Sequence, residues 1–239
     1  AVTGARPYAL VDNLNFGNPE VPGVMWQFVE AVEGMASACE ELDVPVVGGN
    51  VSFYNQTDGV DIYPAPVVGM LGLCDPMPDE PPRLDRAETG MSIFVVGSDP
   101  EGDFAASAFD RIVNGNLGGR PADVDGDRAR HAVSAAATLA YSTPVLHDVS
   151  TGGLAVALAE IAIKSGVGFI VEGISGPDLL DETPLRFIAV AEADELDTAE
   201  QVRRIGTVGG PDLDFGDAGQ ISLADATEIW RSALPRRMA

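Results

Sequence analysis

Between residues 24 and 42, apolar side chains recur at 24, 25, 28, 29, 32, 35, 36, 39 and 42. This three-and-four spacing marks one face of an amphipathic helix, and it predicts a helix from Val24 to Leu42 with Glu30, Glu33, Glu40 and Glu41 mostly on the other side. Short apolar runs flank it. Tyr8 to Val11 predicts a buried strand ending in an Asp-Asn turn, and Pro19-Glu20-Val21-Pro22 breaks the chain before the helix. Val44 to Val47 predicts a strand that stops at Gly48-Gly49. Pro66 to Leu73 is apolar at both alternating sets of positions, the pattern of a central strand. Residues 74–90 change character, with Asp-Pro-Met-Pro-Asp-Glu-Pro-Pro reading as a solvated linker.

Beyond the linker the pattern restarts. Strands are predicted over 91–97, 143–148, 168–171, 186–191 and 204–208, and helices over 104–113, 127–141, 154–163 and 223–234. The segment 154–163 is apolar nearly all round, with Glu160 its only charge, so it must be buried. Ser222 precedes the last helix as an N-cap. Strands and helices alternate in both halves, which gives an α/β or α+β fold.

Composition narrows the chemistry. Thirty-seven acidic residues against 14 basic ones give a formal net charge of −23, and Lys164 is the only lysine. Such a field repels polyanions and argues against nucleic acid and anionic membranes as partners. No apolar run reaches the roughly 18 residues of a membrane-spanning helix. A phosphate-bearing ligand would need a divalent cation and backbone N–H groups to supply attraction. Cys39 and Cys74 lie far from any other metal-ligand residue and read as free thiols, which suits a reducing cytoplasm. The start at Ala1, without an initiator methionine, suggests a fragment or a processed chain.

Three clusters hold candidate chemistry. Asp12, with Asn13 and Asn15, falls at a predicted strand end; carboxylate and amides there suit a metal–phosphate unit or a nucleotide, and equally suit Asx turns. Gly48-Gly49-Asn50-Val51-Ser52 follows another strand. Its glycines permit close main-chain approach to a ligand, Asn50 offers a neutral oxygen to Mg²⁺, and Ser52 offers a hydroxyl. Parallel pairing of the two strands would bring both ends to one edge. Ser150-Thr151-Gly152-Gly153 before the buried helix suits either an anion-binding helix N-terminus or a simple N-cap with tight helix–sheet packing. His147 reads as a structural imidazole more readily than as a catalytic one. No Ser-His-Asp, HExxH, CxxC or Walker pattern is present.

The runs Asp12-Asn13-Leu14-Asn15-Phe16-Gly17-Asn18-Pro19-Glu20, Met25-Trp26-Gln27-Phe28, Val46 to Asn55 and Pro66-Val67-Val68-Gly69-Met70 resemble formylglycinamide ribonucleotide amidotransferase, the phosphoribosylformylglycinamidine synthase of purine biosynthesis, and within it the synthetase subunit. His147 to Glu160, Arg204 to Gly210 and the terminal Trp230, Ala233, Leu234 and Pro235 extend the resemblance over nearly the whole chain. The family is built as two pseudo-repeated halves, and the resemblance implies that this chain is the C-terminal half in part. Residues 1–75 would end the second ATP-grasping α/β domain, 76–90 would be the linker, and 91–239 the second companion α/β domain, as in the aminoimidazole ribonucleotide synthetase-like superfamily. The Asp12 to Pro19 run argues against aminoimidazole ribonucleotide synthetase itself.

The resemblance further implies Asp12 and Gly49 as ATP contacts, Asn50 as a magnesium ligand and Ser52 as a contact to the ribonucleotide substrate. It implies a cytoplasmic ATP-dependent ligase in which ATP phosphorylates an amide oxygen of formylglycinamide ribonucleotide, and ammonia then displaces phosphate to give the amidine. Ammonia would come from a glutaminase subunit, with a small accessory subunit completing the complex. The family's catalytic histidines and most of its metal carboxylates belong to the absent first half, so no catalytic residue is assigned here. The alternative is a nucleotide-binding or structural half-protein that does not turn over alone. Thr151 stands where the family usually has an aspartate, and the match around Asp181 to Arg186 is loose.

Overall fold

The structure, a computed structural model, describes residues 1–100, 104–116, 118–120, 122–192, 196 and 202–238. It has a mixed α/β fold in two compact units. The first holds Ala1, 5–76 and 125–131; the second holds 2–4 and the described residues of 77–124 and 132–239.

In the first unit, β1 (Arg6–Asn15) is the middle strand of three. It pairs in parallel with β2 (Val46–Ser52) and antiparallel with β5 (Ala65–Leu73). A two-stranded ribbon, β3 (Gln56–Thr57) and β4 (Val60–Asp61), lies between β2 and β5 in sequence. The predicted helix is present as α1 (Pro22–Leu42), opened by Pro22 and closed by Asp43 in the left-handed region at φ 53°. There the Val44 N–H caps the Cys39 carbonyl at 2.9 Å. Leu14, Phe16 and Val24 form the core, with Phe28 edge-on to Phe16 at 5.4 Å and Phe53 at 5.0 Å from Phe28.

Three expectations need correction here. The strand predicted over 8–11 runs on to Asn15, so the Asp-Asn pair is strand interior and not a turn. The strand predicted to stop at Gly48-Gly49 runs through both glycines to Ser52. In each case ladder bonds on the neighbouring strand outweigh the turn preference of Asn, Asp and Gly. The stretch 66–73 is an edge strand, not a central one, and Val67, Val68, Met70, Leu71 and Leu73 are all exposed.

The second unit is built on a seven-stranded sheet. Its strands are β6 (Ser92–Gly97), β7 (Val145–Asp148), β8 (Phe169–Val171), β9 (Arg186–Ala191), β10 (Val202–Val208), β11 (Asp212–Asp214) and β12 (Gln220–Ser222), in the order β12-β11-β8-β10-β6-β9-β7. All pairs are antiparallel except β8 with β11. Its helices are α2 (Gly126–Leu139, from residue 132 on), α3 (Gly153–Ser165), α4 (Gly176–Leu180) and α5 (Leu223–Met238). As its sequence requires, α3 is buried, and Leu154, Leu158 and Ile161 pack with Ile93, Val95, Ile188 and Val190. Ser222 caps α5, accepting the Asp225 N–H at 3.0 Å. The helix predicted over 104–113 is shorter, with a π-helical turn at Asp110–Asn114. β11, β12 and α4 are too short to leave a periodic signature.

Candidate functional site

The register of β1 on β2 sets the geometry. Asp12 pairs with Gly49, Asn13 with Asn50 and Asn15 with Ser52. Alternate residues of a strand face opposite ways, so Asn13, Asn15, Asn50 and Ser52 share one face, and Asp12 and Gly49 the other. Leu14 marks the second face as the one packed on α1. The predicted gathering of all four site residues around one ion therefore does not occur. Asn50 and Ser52 come together; Asp12 lies across the sheet from them.

On the α1 side, the Asp12 carboxylate lies directly over Gly49. A Cβ at Gly49 would sit 2.5 Å from Asp12 Oδ1 and 2.6 Å from Cγ, so no other residue fits there without moving Asp12. β2 is an edge strand. The Ser52 carbonyl accepts from Phe16 N at 2.9 Å, and in a parallel ladder the alternate residues Gly49 and Val51 then turn their main-chain groups to the open edge. Gly49 thus offers a bare, exposed backbone beside a carboxylate.

On the other face, Asn50 Nδ2 donates to Asn13 Oδ1 at 3.2 Å, and Asn50 Oδ1 accepts no hydrogen bond among the described residues. Two residues on, the Ser52 hydroxyl lies 3.2 Å from Asn55 Oδ1. Asn55 is itself fixed, because its Nδ2 donates to the Phe16 carbonyl at 2.9 Å and the Ser52 carbonyl at 3.0 Å. The result is a strip in which Asn13 and Asn50 are exposed, Asn15, Ser52 and Asn55 are half-buried, and the Ser52 hydroxyl is held by Asn55. Asn55 carried no sequence signal beyond its place in the motif. Asp61, also missed, lies over Gly17 as Asp12 does over Gly49 and accepts the Asn18 N–H at 2.9 Å, which holds the 16–18 turn in place.

For a metal, the strip supplies neutral oxygen only. No group of three or more His, Cys, Asp or Glu able to hold a metal exists among the described residues. An uncommitted amide oxygen is a hard donor that fits Mg²⁺ as a single ligand, the remaining positions going to phosphate oxygens and water.

In the second unit, the glycine pair before α3 has an occupant. Neither Ser150 nor Thr151 caps the helix. The Glu182 carboxylate takes the Gly152 N–H at 2.7 Å and also the Ala108 N–H at 2.8 Å, so the positive helix end is neutralised from within the chain. His147 is held between two carboxylates. Its Nε2 lies 2.8 Å from Glu160 on α3, and its Nδ1 lies 3.4 Å from Asp148. The Asp148 carboxylate, and then Glu160, raise the imidazole pKa above its ordinary value against the opposing pull of burial. Arg186 and Asp181 form a fully buried pair at 3.4 Å, and Arg186 Nε and Nη2 find no hydrogen-bond partner among the described residues.

Comparisons with known proteins were made over the whole chain. The AIR synthase related protein, N-terminal domain, matches residues 1–74, and the AIR synthase related protein, C-terminal domain, matches residues 88–212. The chain is 43% identical to the phosphoribosylformylglycinamidine synthase subunit PurL of Thermobifida fusca over 98% of its own length and 32% of that protein. It is 39% identical to the PurL subunit of Methanothermobacter thermautotrophicus, over 99% of this chain and 35% of that one. It therefore spans about a third of the length of these curated relatives. Among solved structures, Thermotoga maritima PurL complexed with FGAR shares the fold, with a TM-score of 0.69 at 17% identity over 95% of this chain and 40% of that one. These likenesses bear out the resemblance drawn from the motifs.

Proposed function

The chain belongs to the AIR synthase related family, and we propose that it is part of the synthetase subunit of a phosphoribosylformylglycinamidine synthase. The observation that carries this reading is the register of β1 on β2. It sets Asn13 beside the exposed Asn50 and Asn15 beside the half-buried Ser52 on one face, with the Asn50 amide oxygen uncommitted among the described residues.

In the proposed reaction, the amide oxygen of formylglycinamide ribonucleotide attacks the γ-phosphorus of ATP. ADP leaves, and an O-phosphorylated imidate forms. Ammonia adds to the imidate carbon, the carbon–oxygen bond to phosphate breaks, and a proton is lost to give the amidine and inorganic phosphate. Catalysis of this kind is mostly positioning and charge neutralisation. Asn50 Oδ1 would hold the Mg²⁺, which when bound neutralises phosphoryl charge. Ser52 orients the ribonucleotide. A nucleotide lying along the β2 edge meets the Gly49 main chain, with Asp12 beside it on the α1 side, so ATP reaches these two residues and Asn50 from either side of the edge strand. This placement replaces the single cluster read from the sequence.

Residues 1–75 are then the end of an ATP-binding domain, followed by a linker (76–90) and a companion domain (91–239), a division that differs from the two compact units in residues 2–4 and 125–131. The remaining wall of the active site, a glutaminase subunit that releases ammonia and a small accessory subunit lie outside the chain. We place the assembly in the cytoplasm. No helix among the described residues is long and apolar enough to cross a membrane. Among the described residues no group of three or more His, Cys, Asp or Glu could hold a metal, which favours a second reading for the chain by itself, nucleotide binding without turnover.

Calorimetric titration of the purified chain with Mg·ATP, alongside an assay for ADP release with formylglycinamide ribonucleotide and ammonia, separates these readings. Binding that weakens about tenfold or more in Asn50→Ala supports the site. ADP release assigns turnover to the chain, and binding without release assigns it to the larger assembly. Absence of Mg·ATP binding defeats the proposal.

A further inference from the structure

An amide can serve a cation only through its oxygen, and an exposed asparagine is free to turn either end outward. Something must decide which end faces the ligand. Asn50 stands on an edge strand with exposed residues on both sides of it, so packing does not fix its χ2. Its one hydrogen bond among the described residues is to Asn13, from Nδ2 to Oδ1 at 3.2 Å. That bond consumes the donor end of Asn50 and leaves Oδ1 uncommitted.

Asn13 is well placed for this task. It lies on the central strand, bonded on both sides to β2 and β5, so its backbone is the most constrained of the three-stranded sheet. Its register partner on β2 is Asn50 itself, which keeps the two side chains adjacent on one face. A lone Asn50 would lose binding energy in ordering its own amide; with Asn13 the ordering is already done.

We propose that Asn13 is a positioning residue that holds the Asn50 amide with its oxygen turned toward the bound cation, an inference that rests on the reading of Asn50 as a magnesium ligand. Asn13 acts through Asn50 and needs no contact of its own with the metal. A carboxylate at 13 would serve equally, since it is an acceptor only; an apolar side chain of similar size would not.

The test compares ATP affinity with saturating Mg²⁺ and with EDTA, by calorimetry on the whole chain. The ratio of the two dissociation constants measures the preference for metal, independent of any turnover. Asn50→Ala checks the underlying reading and should abolish most of that preference. Asn13→Leu should lower it about five- to tenfold, as expected for loss of one hydrogen bond that orients a ligand. Asn13→Asp should keep it within about twofold of the unmodified chain, or raise it. Side chains at 13 are exposed, so these substitutions cost little folding energy, and the Asp variant controls for damage to the strand. If Asn50→Ala loses the preference while Asn13→Leu keeps it, Asn13 has no positioning role. Equal loss in Asn13→Leu and Asn13→Asp also overturns the proposal, because an acceptor at 13 would then be insufficient. If Asn50→Ala itself changes nothing, or the unmodified chain shows no metal preference, the magnesium reading fails and this inference with it.

Discussion

Strand β2, with three apolar residues of seven, and strand β9, with five of six, have opposite fates. All six residues of β9 are buried, whereas six of the seven in β2 are exposed. β9 lies inside a seven-stranded sheet, between β6 and β7 and under α3. β2 is the edge of a three-stranded sheet. The second unit is closed on its own core, with Glu182 on the α3 end and His147 between Asp148 and Glu160, and it also buries the Arg186–Asp181 pair, where Arg186 Nε and Nη2 have no hydrogen-bond partner among the described residues. The first unit leaves amides, a hydroxyl and bare main chain facing outward. Polar groups on an open sheet face can meet a ligand without any rearrangement, whereas those enclosed in a core cannot.

The contrast has measurable consequences. The largest is expected at the buried ion pair. Arg186→Met strands the Asp181 carboxylate away from water and should destabilise the protein by about 3–5 kcal/mol in denaturant unfolding. Adding Asp181→Asn should recover at least half of that loss. A single change as mild as a surface substitution would mean that the second unit is not closed as described.

A middle-sized effect is expected at His147. Its pKa is raised in the folded protein, so its stabilising contribution is fully present below the ordinary imidazole value of about 6.5 and is lost as pH rises through the raised value. Unfolding free energies of the unmodified chain and His147→Gln should differ by about 1 kcal/mol at pH 5.5 and converge toward pH 9. A gap that widens with pH would contradict the clamp between β7 and α3.

The smallest effect belongs to the open sheet. Val67 is 56% exposed on β5, and Val67→Thr should change stability by no more than about 0.5 kcal/mol. A loss of several kcal/mol there would show that the first unit is covered in solution and would erase the contrast from which the comparison starts.

Much of this was legible in the chain. The spacing from Val24 to Leu42, the all-apolar run before Ile163 and the Ser222 cap each reflect local chemistry with one stable outcome: a striped helix, a buried helix and a satisfied N-terminus. The motif around Asn50 pointed to the family and to the candidate residues. Tertiary structure decided the rest. Asp12-Asn13 and Gly48-Gly49 have turn chemistry, yet pairing on a central strand drew both into the sheet, because ladder hydrogen bonds along β1 outweigh local turn preference. That same pairing, through the two-residue alternation of a strand, put Asp12 on one face and Asn50 on the other. The sequence by itself singled out the candidate residues; only the register of two strands decided which of them can meet across the sheet, because cross-strand facing is a property of pairing and has no trace in spacing along the chain.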